Sequence, residues 1–268
     1  MYEKIITSKQ NKYVRTARLS AVNKKFRQKS GLFIIEGIRL VDEAVRSNFS
    51  MEFVLASDKL KNNQWAVKLL NDIKDMGVKV FAVDHGVFSS IAQTENPQGI
   101  IAVAKQPVRT WGEMNLHSPE SFVLVIDGVQ DPGNLGTMIR TAEAAGARGI
   151  ITTPCTVDIY NSKVVRSSMG SIFRLPILAE RSADEIIKVF NDYGVQMLVA
   201  RVDADKLLYE VEFKGTLAVV VGNENRGPSA SFKGTAVRIP CRIESLNVSV
   251  AAAVLLYERV RRQYQRYN

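Results

Sequence analysis

The stretch DGVQDPGNLGTMIRTAEAAG at 127–146 decides how this chain reads. It follows a continuous apolar run, Phe122–Ile126, of the kind a strand takes when both its faces are buried. Asp131-Pro132 then reads as a helix N-cap followed by proline at the first helical position, where a missing donor does no harm. Leu135, Met138, Ile139, Ala142 and Ala145 recur at helical spacing and form a stripe to be buried. Asn134 and Arg140 lie off that stripe, about 120° apart around the helix, so they need not touch. Taken alone, a surface asparagine and a surface arginine account for both.

Two further turns share the pattern. VVVGNENRGPS (219–229) joins a buried-strand run to a loop with Gly222 and Gly227 five residues apart. Glycines there let the backbone approach a ligand or take a positive φ. The loop is not a phosphate-binding Walker loop, since no Gly-Lys-Ser/Thr follows, and it is not Gly-x-Gly-x-x-Gly. IPCRIESLNVSVAAAVLLYE (239–258) ends a short strand at Ile239-Pro240 and enters a helix through Ser245-Leu246-Asn247. Ser245 or Asn247 is the natural N-cap, and the small residues behind it allow close packing. Glu224 could be a plain turn residue, and the third turn a plain capped helix start.

Outward from these turns the chain alternates strand and helix signals. In the second half, strands are expected at 122–126, 149–153, 172–178, 195–201, 217–221 and 236–239, and helices at 132–145, 183–193 and 247–265. In the first half, strands are expected at 32–35, 53–56, 78–83 and 99–104, with helices at 38–47, 64–75 and 86–91. The fold class is α/β, in two domains. A basic N-terminal arm or short basic helix covers 1–30, a small α/β domain 31–106, a linker 107–120 and a larger α/β domain 121–268. Pro107, Gly112, His117 and Pro119, with no clear period, mark the linker.

The net charge of +9 is concentrated. Residues 1–30 carry nine basic side chains against the single acid Glu3, with Tyr2, Tyr13 and Phe26 interleaved. Lys4, Lys9, Lys12, Arg15, Arg18, Lys24, Lys25, Arg27 and Lys29 thus form a segment suited to a polyanion through counterion release; a solvated arm is the plainer reading. Arg259, Arg261, Arg262 and Arg266 make a second cluster beside Glu258. No run reaches the ~18–20 apolar residues of a membrane span, and no apolar leader opens the chain. Cys155 and Cys241 read as free thiols of a cytoplasmic protein, too few for a structural zinc site.

Together, N-L-G-x-x-x-R-T-A (134–142), G-N-E-x-x-G (222–227) and I-P…S-L-N-V-S-V-A-A-A (239–253) resemble the SpoU family of RNA 2′-O-ribose methyltransferases, of the SPOUT superfamily. FIIEGIRLVDEA (33–44) is similar to the L30e-like substrate-binding domain that precedes many SpoU domains. The resemblance implies a deep trefoil knot in the C-terminal domain, a homodimer through that domain, and S-adenosylmethionine as cofactor. It implies that Asn134, Arg140, Glu224 and Asn247 are the catalytic set, with Arg140 central. It implies that Gly222, Ile239 and Leu246 hold the cofactor largely through their backbones. It implies an RNA substrate, most readily 23S ribosomal RNA, and no metal. The alternatives are a transfer RNA substrate, a non-catalytic RNA-binding protein of the same fold, and a Rossmann dinucleotide enzyme. The last lacks its glycine fingerprint. His85 and His117 both lie outside the signature domain, so no histidine can serve as base there. Asn225-Arg226 departs from the family's usual glycine followed by a charged or small residue, and Arg226 either reaches a phosphate or crowds the cofactor.

Overall fold

A computed structural model describes residues 5–58, 60 and 63–267, with the side chains of 266–267 excepted. Tyr2, Glu3 and Lys4 of the basic segment, and the Arg266 side chain, fall outside what is described. The elements run β1 (Ile5–Ile6), α1 (Lys12–Val22), α2 (Lys24–Ser30), β2 (Leu32–Glu36), α3 (Ile38–Arg46), β3 (Met51–Ser57), α4 (Gln64–Asp75), β4 (Lys79–Val83), α5 (His85–Ser89) and β5 (Ile100–Lys105). They continue with β6 (Phe122–Asp127), α6 (Pro132–Ala144), β7 (Gly149–Thr152), α7 (Ser162–Ser167), α8 (Ser171–Arg174), β8 (Ile177–Leu178), α9 (Ala183–Asp192), β9 (Gln196–Ala200), β10 (Leu217–Gly222), β11 (Thr235–Val237) and α10 (Val248–Tyr267).

Two units separate by contact: 1–107 with 160–173, and 108–159 with 174–268. The first holds a five-stranded mixed sheet in the order β1-β4-β3-β5-β2. β2 and β3 both run antiparallel to β5, and β4 runs parallel to β3. β5 lies between β2 and β3, so its run Ile100–Ala104 is buried throughout.

Residues 5–30 are not an arm. They form β1, α1 and α2 and help build the first core. Val14, Ala17 and Ala21 recur at three and four residues, and all three are buried in one cluster with Ile34, Phe53 and Leu55. Tyr13 stacks on Phe81 at 4.0 Å. The charge count hid this stripe, because the basic residues sit between its apolar positions. Asn11 and Asn23 cap the two helices by accepting from Tyr13 N and Phe26 N.

The linker is likewise part of a core. Trp111–Met114 forms a 3-10 turn closed by reciprocal Thr110–Glu113 capping bonds. Met114 and Leu116 are buried with Val123 and Phe190 of the second unit. The Thr216 hydroxyl, itself buried, serves the Leu116 and Ser118 carbonyls at 3.0 and 2.8 Å.

Sequence expectation and structure differ most at 160–178. The apolar run 172–178 looked like one strand. It is instead α8, a break at Leu175-Pro176, and only Ile177–Leu178 as strand. Helix α7, capped by Asn161, was not anticipated at all. The reason is that Tyr160–Phe173 belongs to the first unit. Tyr160 meets Phe33 at 4.5 Å and Phe173 meets Phe49 at 4.9 Å, ring to ring. The apolar residues of 160–173 therefore answer to a sheet far away in sequence, and short-range periodicity cannot report that. Phe173→Ala should destabilise the first unit by about 3–5 kcal/mol, as expected for emptying a buried aromatic site. Denaturant unfolding followed by hydrogen exchange in 32–57 would measure it; a change below about 1 kcal/mol would show the segment to be only draped there.

The second unit is an all-parallel six-stranded sheet in the order β11-β9-β10-β6-β7-β8. β6 and β10 are its central neighbours, and every residue of β10 is buried. Leaving β6 the chain passes toward β7; leaving β10 it passes to β11 on the other side. A crevice therefore opens at the carboxyl ends of β6 and β10, where connections diverge and open α/β sheets bind ligands.

Candidate active site

The crevice brings the three turns together. β6 and β10 are in register from Phe122↔Leu217 to Asp127↔Gly222, so their last residues end side by side. Loop 128–131 after β6 then faces loop 223–228 after β10. Asp127 ties the end of β6 to both its neighbours: one carboxylate oxygen accepts from the Thr153 hydroxyl, just past β7, at 2.8 Å, and the other from Ser229 N, just past the second loop, at 2.7 Å.

Glu224 sits at the centre. Its carboxylate accepts from Gln130 N (3.3 Å), Asp131 N (3.2 Å) and Asn134 Nδ2 (3.3 Å). Burial works against its charge, but bonds from its own N–H, from Asp131, from Asn134 and from Gln130 together hold its pKa below the ordinary carboxylate value. Asn134 Oδ1 accepts in turn from Asn247 Nδ2 at 3.0 Å. Asn247 Oδ1 is spent on Ser249 N at 2.9 Å and the Ser249 hydroxyl at 2.6 Å, which makes it the N-cap of α10. Three residues from three turns, 113 positions apart at the extreme, thus form one chain of hydrogen bonds running Asn247–Asn134–Glu224.

Arg140 stands apart. It is exposed on α6, about 9 Å along the axis from Asn134, and among the described residues no hydrogen bond or ion pair engages it. The α6 N-cap is Asp131, whose side chain accepts from Asn134 N at 2.8 Å.

Beside Glu224 opens a cavity of about 630 Å³. Gly222, Ile239 and Leu246 all line it, with Glu224, Arg226 and Cys241. Its size lies within the range of small-molecule sites, ~300–1,000 Å³. Gly222 has an ordinary φ; a Cβ there would overlap the Gly227 carbonyl and the Pro228 nitrogen. The glycine therefore serves the loop's closure on itself, while Gly227, at φ +67°, takes the left-handed conformation that turns it.

Sequence reading missed the residues that hold these loops. Asn223 donates to the Gly128 carbonyl at 3.0 Å and accepts from Asn225 N and Arg226 N at 3.1 and 3.2 Å. The Gln130 amide spans the carbonyls of Gly128 and Cys155, and Thr156 accepts from Gly128 N at 3.1 Å. An asparagine directly after a strand's closing glycine is the one available signal, since it caps turns in this way.

Two basic assignments are corrected. Arg27 is 4% exposed, and its Nη1 donates to the Ser20 and Ala21 carbonyls, both at 3.1 Å. It closes the end of α1 and cannot reach RNA. Arg259, Arg261 and Arg262 of the C-terminal cluster are also structural. Arg259 is 1% exposed. Arg262 lies 4.2 Å over the Phe213 ring and donates to the carbonyls of Leu208 and Tyr209. Arg261 and Arg262 clamp the buried Glu258 at 2.8 and 2.6 Å. Arg261 foremost, against the effect of burial, holds that carboxyl low. Lys9, Lys12, Arg15, Lys24 and Lys25 are exposed, and Arg18 is half-buried. Among the described residues no group of His, Cys, Asp and Glu is arranged to hold a metal ion, and no helix is long and apolar enough to cross a membrane. Both cysteines are free.

Known proteins share this layout. The sequence profile of the SpoU rRNA methylase family matches residues 121–257, and that of an MRM3-like substrate binding domain matches 11–102. The chain is 35% identical to the 23S rRNA (guanosine(2553)-2′-O)-methyltransferase RlmP of Bacillus subtilis, over 87% of this chain and 90% of that one. It is 32% identical to a 23S rRNA (adenosine(1067)-2′-O)-methyltransferase of Streptomyces laurentii, over 93% of each. The crystal structure of the SpoU methyltransferase AviRb from Streptomyces viridochromogenes, in complex with the cofactor AdoMet, superimposes with a TM-score of 0.88 at 25% identity, covering 95% of this chain and 99% of that one. With its two domains and three joined turns, the chain belongs to the SpoU rRNA methylase family and is a methyltransferase.

Proposed function

We propose that this chain transfers a methyl group from S-adenosylmethionine to a ribose 2′-hydroxyl of 23S ribosomal RNA. The observation that carries the reading is the Asn247–Asn134–Glu224 hydrogen-bond chain at the rim of a cavity lined by Gly222, Ile239 and Leu246. The cavity fits the cofactor in size and in its glycine, small and apolar lining. These residues would hold it through backbone groups. When bound, it supplies an electrophilic methyl carbon on a sulfonium.

The chain's own residues do the rest. A neutral hydroxyl is a weak nucleophile and must be aimed and relieved of its proton. Guanidinium stays protonated in proteins, so Arg140 acts as a fixed cation beside the ribose oxygen, stabilising alkoxide charge as it develops. A phosphate of the RNA or a water takes the proton. Glu224, kept ionised by its donors, fixes the Asn134 amide, and Asn134 and Asn247 orient the ribose and the neighbouring phosphate. Arg140 lies apart from these three within one chain, which supports a homodimer in which the partner completes the site. The C-terminal helix adds support: Val250, Tyr257 and Tyr264 are exposed at seven-residue spacing on α10. The trefoil knot and a cytoplasmic location, where ribosomal RNA is found, belong to the same reading.

Two experiments test it. Incubation with tritiated S-adenosylmethionine and 23S rRNA should yield an alkali-resistant dinucleotide, the mark of ribose methylation. Label on a base, or label on transfer RNA alone, would overturn the stated substrate, and no label in either would favour a non-catalytic RNA-binding protein. Separately, replacing Lys9, Lys12, Arg15, Lys24 and Lys25 with Gln should flatten the slope of log Kd against log salt by roughly 3–4 for RNA. Arg27→Ala should lower stability instead, leaving that slope unchanged. An unaltered slope in the five-fold variant would mean the N-terminal face is only solubilising.

A further inference from the structure

A second cavity, of about 530 Å³, lies wholly within the first unit. Its rim presents Trp65 at 44% exposure and Met169 at 51%. Large apolar side chains at a pocket mouth invite a flat apolar partner. Met169 is held at φ +51°, a conformation that non-glycine residues seldom adopt, so the fold keeps its side chain there at some cost. Arg39 and Arg166 also line the cavity. Arg39 is exposed and without a hydrogen bond or ion pair among the described residues. Arg166 keeps Nη1 buried with no acceptor among the described residues. Three acids also line the cavity: Glu36 accepts from Gln93 N at 2.8 Å and the Thr94 hydroxyl at 2.5 Å, Asp42 pairs with Arg46 at 2.9 Å, and the Glu43 side chain packs beside Gly170. The cavity therefore offers two uncommitted positive charges beside an aromatic face. Asn96 and Gln98 add amides at its edge. Gln98 spends its oxygen on Ile38 N at 2.7 Å, and among the described residues its amide hydrogens have no acceptor.

We propose that this cavity takes one unpaired nucleotide of the RNA substrate. The base stacks on Trp65 against Met169, its edge meets Asn96 and Gln98, and Arg39 and Arg166 take the flanking phosphate. Proteins read RNA mainly at unstacked bases, stacked on aromatic or guanidinium planes and hydrogen-bonded at their edges. A duplex cannot enter, because its bases are already stacked. The proposal rests on the RNA-methyltransferase reading for the identity of the polymer, and it places a point of recognition outside the reacting centre.

The test compares a mixed-sequence single-stranded RNA decamer with a duplex of the same composition, by fluorescence anisotropy. Wild-type protein should prefer the single strand. Trp65→Ala should weaken single-strand binding about tenfold, the scale of losing one base–aromatic stack, without changing the salt slope. Trp65→Phe should restore most of the affinity, which a merely structural role would not predict. Arg166→Met should weaken binding and reduce the slope by about one. S-adenosylmethionine affinity should be unchanged in all three. Equal affinity of Trp65→Ala and wild type for the single strand overturns the proposal while leaving methyl transfer to 23S rRNA untouched. Conversely, a Trp65-dependent preference in a protein that methylates no RNA would sink the enzymatic reading and keep the pocket.

Discussion

Arg140→Ala should lower methyl transfer to RNA by at least about a thousandfold while leaving the fold and the cofactor affinity intact. The size follows from its proposed role: removing one preorganised neutral donor from a developing oxyanion costs about 10²–10³ in rate, and a full charge is worth more. The selectivity follows from its position. Arg140 is exposed, has no partner among the described residues and does not line the 630 Å³ cavity. Among the described residues no hydrogen bond or ion pair would be lost with it. Single-turnover rates and calorimetric cofactor titration on the same preparation would separate the two effects. Arg140→Lys should recover only part of the rate, because an ammonium keeps the charge but not the planar fork. Wild-type turnover in Arg140→Ala would remove the arginine from the mechanism and return attention to Glu224.

Gly222→Ala should have the opposite signature. The added methyl would overlap the Gly227 carbonyl and Pro228 nitrogen, both backbone, and neither can rotate away. The loop 223–228 must open, and with it go the Asn223 bonds that shape the turn and the Glu224 bonds to Gln130 and Asp131. Cofactor affinity should fall at least about a hundredfold, with the rate at saturating cofactor also reduced. Small→large changes in tight packing cost about 1–3 kcal/mol, within what a domain of this size tolerates, so the protein should remain folded. Equilibrium dialysis with circular dichroism would show both. Unimpaired cofactor binding would place the ligand elsewhere than at this loop.

The three turns were legible because each is local. Asp131 as N-cap, Pro132 after it, the buried runs 122–126 and 217–221 and the capped start of α10 are written in neighbouring residues, and the structure has them there. Their convergence was visible only through the resemblance, since no spacing rule brings Asn247 to Asn134. The misreadings of basic segments share one cause. Val14, Ala17 and Ala21 were lost among lysines and arginines; Arg27 and Arg259 counted as surface charge though both are buried. Composition records charge and is silent on direction. Tyr160–Phe173 failed for a different reason, because its packing partners, Phe33 and Phe49, lie more than a hundred residues earlier in the chain.

That last segment sets an order on biosynthesis. The N-terminal sheet is complete at Lys105, yet aromatic partners of its Phe33 and Phe49 are Tyr160 and Phe173. A nascent chain that has just released residue 107 therefore carries a half-covered apolar surface. It must wait several seconds, at roughly 5–20 residues per second, before the covering helices emerge. During that interval two of the second unit's six strands, β6 and β7, have also been made. The first unit can consequently finish folding only after the opening strands of the second have been translated.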